Sequence, residues 1–163
     1  MKLNVKGVYV LLSFLAGILC FTGVATAQTE GLDAYWLEVS RTVREGDFKG
    51  YAVLYHDDAV LVSNFSKSSV PIASALTNWK QGFMDTKAGK MAADVTFRFS
   101  QRYADDKTAH ETGIFRYVST PKGGEMSEQF IHFEGLLVKK DVWLMMMEFQ
   151  KSPATKEEWD ALQ

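Results

Sequence analysis

Sulfur chemistry is almost absent from this chain. Cys20 is its single cysteine and lies in an N-terminal stretch that reads as a removable leader. The folded domain is therefore expected to have neither a disulfide nor a thiolate nucleophile. Histidine is nearly as scarce. His56, His110 and His132 are the three present, and none stands in a His-x-x-His or His-Glu-x-x-His spacing that would set two imidazoles on one metal. A Ser-centred elbow and a phosphate-cradling glycine loop are missing too, so no metal and no cofactor is expected. Basic charge is not in excess: 18 Lys and Arg face 20 Asp and Glu. Without a basic stripe interleaved with aromatics, nucleic acid is not an expected partner. No internal repeat or low-complexity linker divides the chain.

What is present begins with a leader. Lys2 and Lys6 precede an apolar run from Val8 to Phe21, and Ala25-Thr26-Ala27 supplies small residues at the positions a signal peptidase reads. Residues 1–27 are expected to be a secretory signal cut before Gln28, with no stable membrane anchor afterwards. Leu19 stands before Cys20 where lipidation would want a small residue. Removing the two lysines takes the formal net charge from −2 to −4. Residues 28–163, about 136 in number, suffice for one domain with a sizeable core. Export without cysteines suits a bacterial periplasm, or secretion, better than a disulfide-stapled module.

Hydrophobic period then changes from helical to alternating along the chain. Leu32, Tyr35, Trp36, Val39 and Val43 form a helical stripe, and Gly46 follows as a stop. Phe48, Tyr51, Ala52 and Tyr55 continue the period in a shorter helix that Asp47 is placed to cap. Ile72, Ala75, Leu76, Trp79 and Phe83 form a third, with Pro71 in its first turn and Gly89 beyond its end. A strand, Ala59 to Asn64, separates the second and third helices. From residue 90 the period is two: Val95, Phe97 and Phe99 alternate with polar residues. Thr108 to Ser119 is β-rich, and Gly113 inside it marks a bulge or a close approach. Glu125 to Lys140 and Val142 to Phe149 complete four long antiparallel strands. The tail from Ser152 is expected to be helical, with Thr155 and Glu158 as a capping box and Trp159 and Leu162 docking it. Helices packed on one face of a curved antiparallel sheet are an α+β architecture whose concave side is a natural ligand site.

The stretch "REGDFKGYAVLYHDDAVLV", with its Gly46-Asp47, Tyr51, Leu54-Tyr55, Asp58-Ala59 and Val60 to Val62, resembles the nuclear transport factor 2-like (NTF2-like) superfamily. Trp143 opening the last strand fits as well. The likeness is to SnoaL-like or DUF4440-type members and spans about residues 30 to 150. It implies a cone of three N-terminal-half helices on a curved antiparallel sheet, a cavity inside the cone, and a homodimer through the sheet. Ketosteroid isomerase-like members of that superfamily carry an aspartate base where this chain has Ser63. Their oxyanion-hole acid falls at Ile131 and their tyrosine near Val39. The resemblance therefore implies the fold without the known isomerase residues.

His56, Asp57 and Asp58 are adjacent, and three consecutive side chains at a turn diverge where a metal needs convergence. They read first as a helix-to-strand corner. With His110, His56 and Asp58 are the residues on which an enzymatic alternative (isomerase, dehydratase or hydrolase) would rest. The last strand, "WLMMMEF", is apolar on both faces, and strict alternation sets Met145 and Met147 together. The expected pocket comprises Trp36, Tyr55, Ser63, Trp79, Phe83, Gln129, Ile131, Met145 and Met147. A small, mostly apolar molecule bound without catalysis is the favoured function. A homodimeric interaction module is the third alternative.

Overall fold

The computed structural model describes residues 22–162, with side chains from Gly31 onward. The first 21 residues of the expected leader lie outside the described part. Helix α1 (Thr22–Glu45) and the short α2 (Phe48–Ala52) lead into β1 (Tyr55–Ser63), β2 (Ser68–Pro71) and α3 (Ile72–Lys87). The long strands β3 (Met91–Ala104), β4 (Thr108–Pro121), β5 (Ser127–Lys139) and β6 (Trp143–Pro153) follow, and α4 (Lys156–Ala161) closes the chain. The sheet order is β2-β1-β6-β5-β4-β3, and α1, α2 and α3 sit in its concavity.

Alternation and helical period account for most of this. The α1 stripe is buried at Leu32, Tyr35, Trp36 and Val39. Trp36 packs among Phe97, Phe99 and Phe133 with ring centroids 4.4 to 5.5 Å away. Burying each such side chain stabilises the fold by about 1.5–3 kcal/mol. Gly46 ends α1 at φ 65°, and a Cβ there would lie 2.4 Å from the Lys87 nitrogen at the end of α3. Glycine is thus required both by backbone conformation and by the approach of two helix ends.

Four corrections to the expected elements have physical causes. Tyr55 opens β1 instead of closing a helix. The Asp47 carboxylate accepts from the Gly50 N–H, the turn closes through Val53 onto Lys49, and the Met145 N–H then takes the Leu54 carbonyl into the sheet. His56, Asp57 and Asp58 accordingly lie inside β1, in a stretch where its register with β6 slips between Tyr55 and Val60. Second, β1 runs parallel to β6, so the sheet is antiparallel only in its other pairings. Third, the edge strand β2 was hidden by its short polar sequence, SSVP. Fourth, β6 continues through Pro153, and the tail helix begins only at Lys156. Its capping box of Thr155 and Glu158 is complete. Trp159 docks on the outer sheet face, against Phe130 and over the Arg98 guanidinium.

Three bulges interrupt the pairing of the long strands, at Ser100 of β3 and at Met146 and Lys151 of β6, and the first two reset which side chains reach the helix side. Ser100 is the extra residue of β3 opposite Gly113, whose missing Cβ would stand 2.1 Å from the Arg98 carbonyl oxygen. Met146 is an extra residue of β6, between the pairs Leu136–Met147 and Leu137–Met145. Each of these two moves the residues beyond it to the opposite face, because a strand alternates with a period of two.

Candidate functional site

The cone encloses a cavity of about 440 Å³ between the helices and β1 and β3–β6, within the range of small-molecule sites. Its wall is rich in aromatic residues: Tyr35, Trp36, Tyr51, Tyr55, Trp79, Phe83, Phe97, Phe115, Tyr117 and Phe133. Asn78 both lines the cavity and is exposed, so α3 forms part of the mouth, with Gly82 one turn further along the wall.

The polar corner comes from β6. Met145 faces inward, the Met146 bulge shifts the alternation, and Glu148 and Gln150 then face inward in place of Met147 and Phe149. Tyr55 donates its hydroxyl proton to Glu148 Oε2 at 2.7 Å, and Gln150 Nε2 donates to Oε1 at 2.8 Å. The Tyr51 hydroxyl lies 2.9 Å from that of Tyr55. Because Tyr55 commits its proton to the carboxylate, Tyr51 is the donor of that pair.

The surroundings are apolar, and desolvation raises the Glu148 pKa above the ordinary carboxylate value despite the two stabilising donors. The same burial, with the Glu148 charge nearby, pushes the Tyr51 and Tyr55 hydroxyls upward, so both stay protonated at neutral pH. Among the described residues, no Lys, Arg or His is on the cavity wall.

Seven of the residues expected in the pocket stand on this wall: Trp36, Tyr55, Trp79, Phe83, Gln129, Ile131 and Met145. Two do not. Met147 is displaced by the bulge, and Ser63, at the far end of β1, is buried where its Oγ receives the Ser66 N–H at 3.5 Å. The residues of the enzymatic alternative do not converge on the cavity either. The Asp58 side chain is 87% exposed, and His56 Nδ1 accepts the Asp58 N–H at 3.1 Å. His110 lies on the opposite sheet face, 3.6 Å from Glu134. Sequence reasoning missed Glu148. Its signal was a lone charge in an otherwise apolar strand, obscured because unbroken alternation assigned it to the face opposite Met145.

A second buried glutamate sits on the far side of Trp36. Glu111 is fully buried; its Oε2 accepts from Trp36 Nε1 at 2.6 Å and its Oε1 from Arg102 Nε at 2.5 Å. Arg102 also reaches Asp33 and stacks its guanidinium 4.3 Å from the Phe99 ring centre. This cluster joins α1 to β3 and β4, and its charged members Glu111, Arg102 and Asp33 are not on the cavity wall.

No protein-family model matches the sequence, and no curated protein matches it significantly. Solved structures do match. A conserved protein from Planctomyces limnophilus superposes with a TM-score of 0.67 at 14% identity, over 79% of this chain and 99% of its own. An NTF2-like protein of unknown function from Shewanella oneidensis gives 0.59 at 16% identity, over 76% and 98%. A ketosteroid isomerase-like protein from Erwinia carotovora gives 0.55 at 13% identity, over 77% and 95%. The chain has the NTF2-like fold, a helix-filled cone that carries different activities in different proteins. The narrower SnoaL-like or DUF4440-type assignment rests on the sequence motifs alone.

Proposed function

We propose that this protein binds a small, mostly apolar molecule inside its cone. The observation that carries the reading is the aromatic-rich cavity of about 440 Å³, with Glu148, Gln150 and two tyrosine hydroxyls hydrogen-bonded together on its wall. Apolar walls supply affinity through burial, and a few convergent polar groups fix orientation. The test is calorimetric titration and thermal shift with neutral bicyclic and monocyclic aromatics. Wild type is expected to bind and be stabilised. Gly82→Leu is expected to lose binding without loss of fold: Gly82 is on the wall, and a Cβ there meets no atom within 4 Å. Binding unaffected by that substitution would place the ligand elsewhere and end the reading.

A second reading is favoured by Glu148 alone. A carboxyl held above its ordinary pKa and hydrogen-bonded to a tyrosine is equipped for proton transfer to or from a bound ligand. Solvent-deuterium exchange into bound carbonyl compounds, absent in Glu148→Gln, is the outcome it requires.

Export and pairing belong to the same proposal. Cleavage before Gln28 would fall inside α1, so the mature helix would start about six residues later than Thr22; intact mass of the exported protein checks this. The partner is a second copy meeting the outer sheet face, part of which α4 already covers through Trp159. A concentration-independent monomer in sedimentation would exclude it.

A further inference from the structure

The hydrogen-bond directions at the polar corner restrict what the ligand brings there. Tyr51 donates to Tyr55, Tyr55 donates to Glu148, and Gln150 donates to Glu148 from the other side. Every committed proton points toward the carboxylate. The corner therefore offers acceptors: the remaining lone pairs of both Glu148 oxygens and of the Tyr51 hydroxyl. The local donors left over are the second N–H of Gln150 and the hydroxyl of Tyr117 on the facing wall.

Charge points the same way. The groups that face Glu148 are Tyr35 from α1, Tyr51 from α2, Tyr55 from β1 and Tyr117 from β4, all neutral phenols at physiological pH. The walls from α3, β3 and β5 contribute no ionisable side chain. No cation among the described residues balances the carboxylate on the cavity wall, and the aromatic faces around it add negative π-density. A buried charge without a partner is unfavourable, and a ligand that carries the missing cation removes that cost.

Resting on the reading of the cone as a binding site, we infer that its ligand is a cationic amine: a protonated nitrogen set against Glu148 and Tyr51, joined to an aromatic or aliphatic body held by the cavity wall. An ammonium supplies donors to the acceptors that Glu148 and Tyr51 present, and charge-assisted hydrogen bonds are about twice as strong as neutral ones. A carboxylate ligand would meet like charge.

The sign of the pH dependence follows. An empty site holds Glu148 above its ordinary pKa, so a cation must displace its proton when the pH lies below that raised value. Amine affinity should fall as pH falls, with proton release into the buffer. A neutral carbonyl ligand accepting from protonated Glu148 would do the opposite.

The experiment compares matched probes by calorimetry in two buffers of different ionisation enthalpy. The probes are tryptamine, tryptophol and indole-3-propionate, with phenethylamine, 2-phenylethanol and 3-phenylpropanoate as a smaller series. The amines are expected to bind at least about tenfold more tightly than the alcohols, and the acids least. Glu148→Gln should erase the amine preference while retaining alcohol binding and an unchanged circular dichroism spectrum. Alcohols that bind as well as amines, or an amine preference that survives in Glu148→Gln, would overturn the inference and leave the cavity reading standing. Failure of all six probes to bind would overturn both.

Discussion

Two glutamates face the same apolar interior, each in surroundings that a bulge has set, and they end in opposite circumstances. Glu111 and Glu148 both sit on the concave side of the sheet, and each arrangement depends on a bulge. The Ser100 bulge brings Arg102 round to the helix side, where it meets Glu111 and Asp33. The Met146 bulge turns Glu148 inward but brings no cation with it. One carboxylate is neutralised and locks α1 to the sheet. The other is held only by neutral donors beside an open volume. A charge with its counter-ion built in is architecture, whereas one without a counter-ion is a place for something else to bind.

The largest expected effect is on the neutralised side. Glu111→Ala leaves Arg102 without its buried partner and the Trp36 N–H without an acceptor. It should cost about 3–5 kcal/mol in urea denaturation. A loss below about 1 kcal/mol would erase the distinction between the two sites. Next comes Tyr55→Phe, which removes the donor to Glu148 and the acceptor of Tyr51. A loss of about 1–2 kcal/mol is expected. Because the Tyr55 hydroxyl holds the Glu148 pKa down, its removal should raise that pKa further, read from the carboxyl carbon shift in NMR titration.

Glu148→Gln should act in the opposite direction from Glu111→Ala. A carboxyl whose folded-state pKa is raised contributes stability that is present at low pH and lost as pH rises from the ordinary carboxylate range through the raised value. The variant does not titrate there. Its stability advantage over wild type should therefore grow with pH across that window and then level off. A difference that is flat with pH would show that the carboxylate is balanced after all. The smallest effect belongs to the half-exposed Arg116–Glu128 pair on the outer face. Arg116→Ala should change stability by less than about 1 kcal/mol, because solvent screens such pairs. This gives a baseline against which Glu111 can be judged.

Legibility in the sequence followed the strength of each periodic signal. The α1 stripe from Leu32 to Val43, the Asp47 cap and the Thr155–Glu158 box were readable because each depends on neighbours within a turn or two. Gly113 announced its bulge because a glycine inside an apolar strand has few other uses. Met146 announced nothing, since one methionine among three does not indicate which is extra. Met147 and Glu148 were consequently assigned to each other's faces. Tyr55 was legible as a wall residue although its element was misread, because a helix end and a strand start point it the same way. Ser63 was chosen by analogy of position, but β1 lines the cavity only through Tyr55, at its opposite end.

The sequence by itself determined the helices, the long strands, the aromatic lining and the scarcity of cysteine and histidine. These depend on local period and composition. Only the tertiary structure decided which carboxylate faces the cavity and which is paired. Register across a sheet is set by both strands at once, and a single unpaired residue inverts every side chain beyond it.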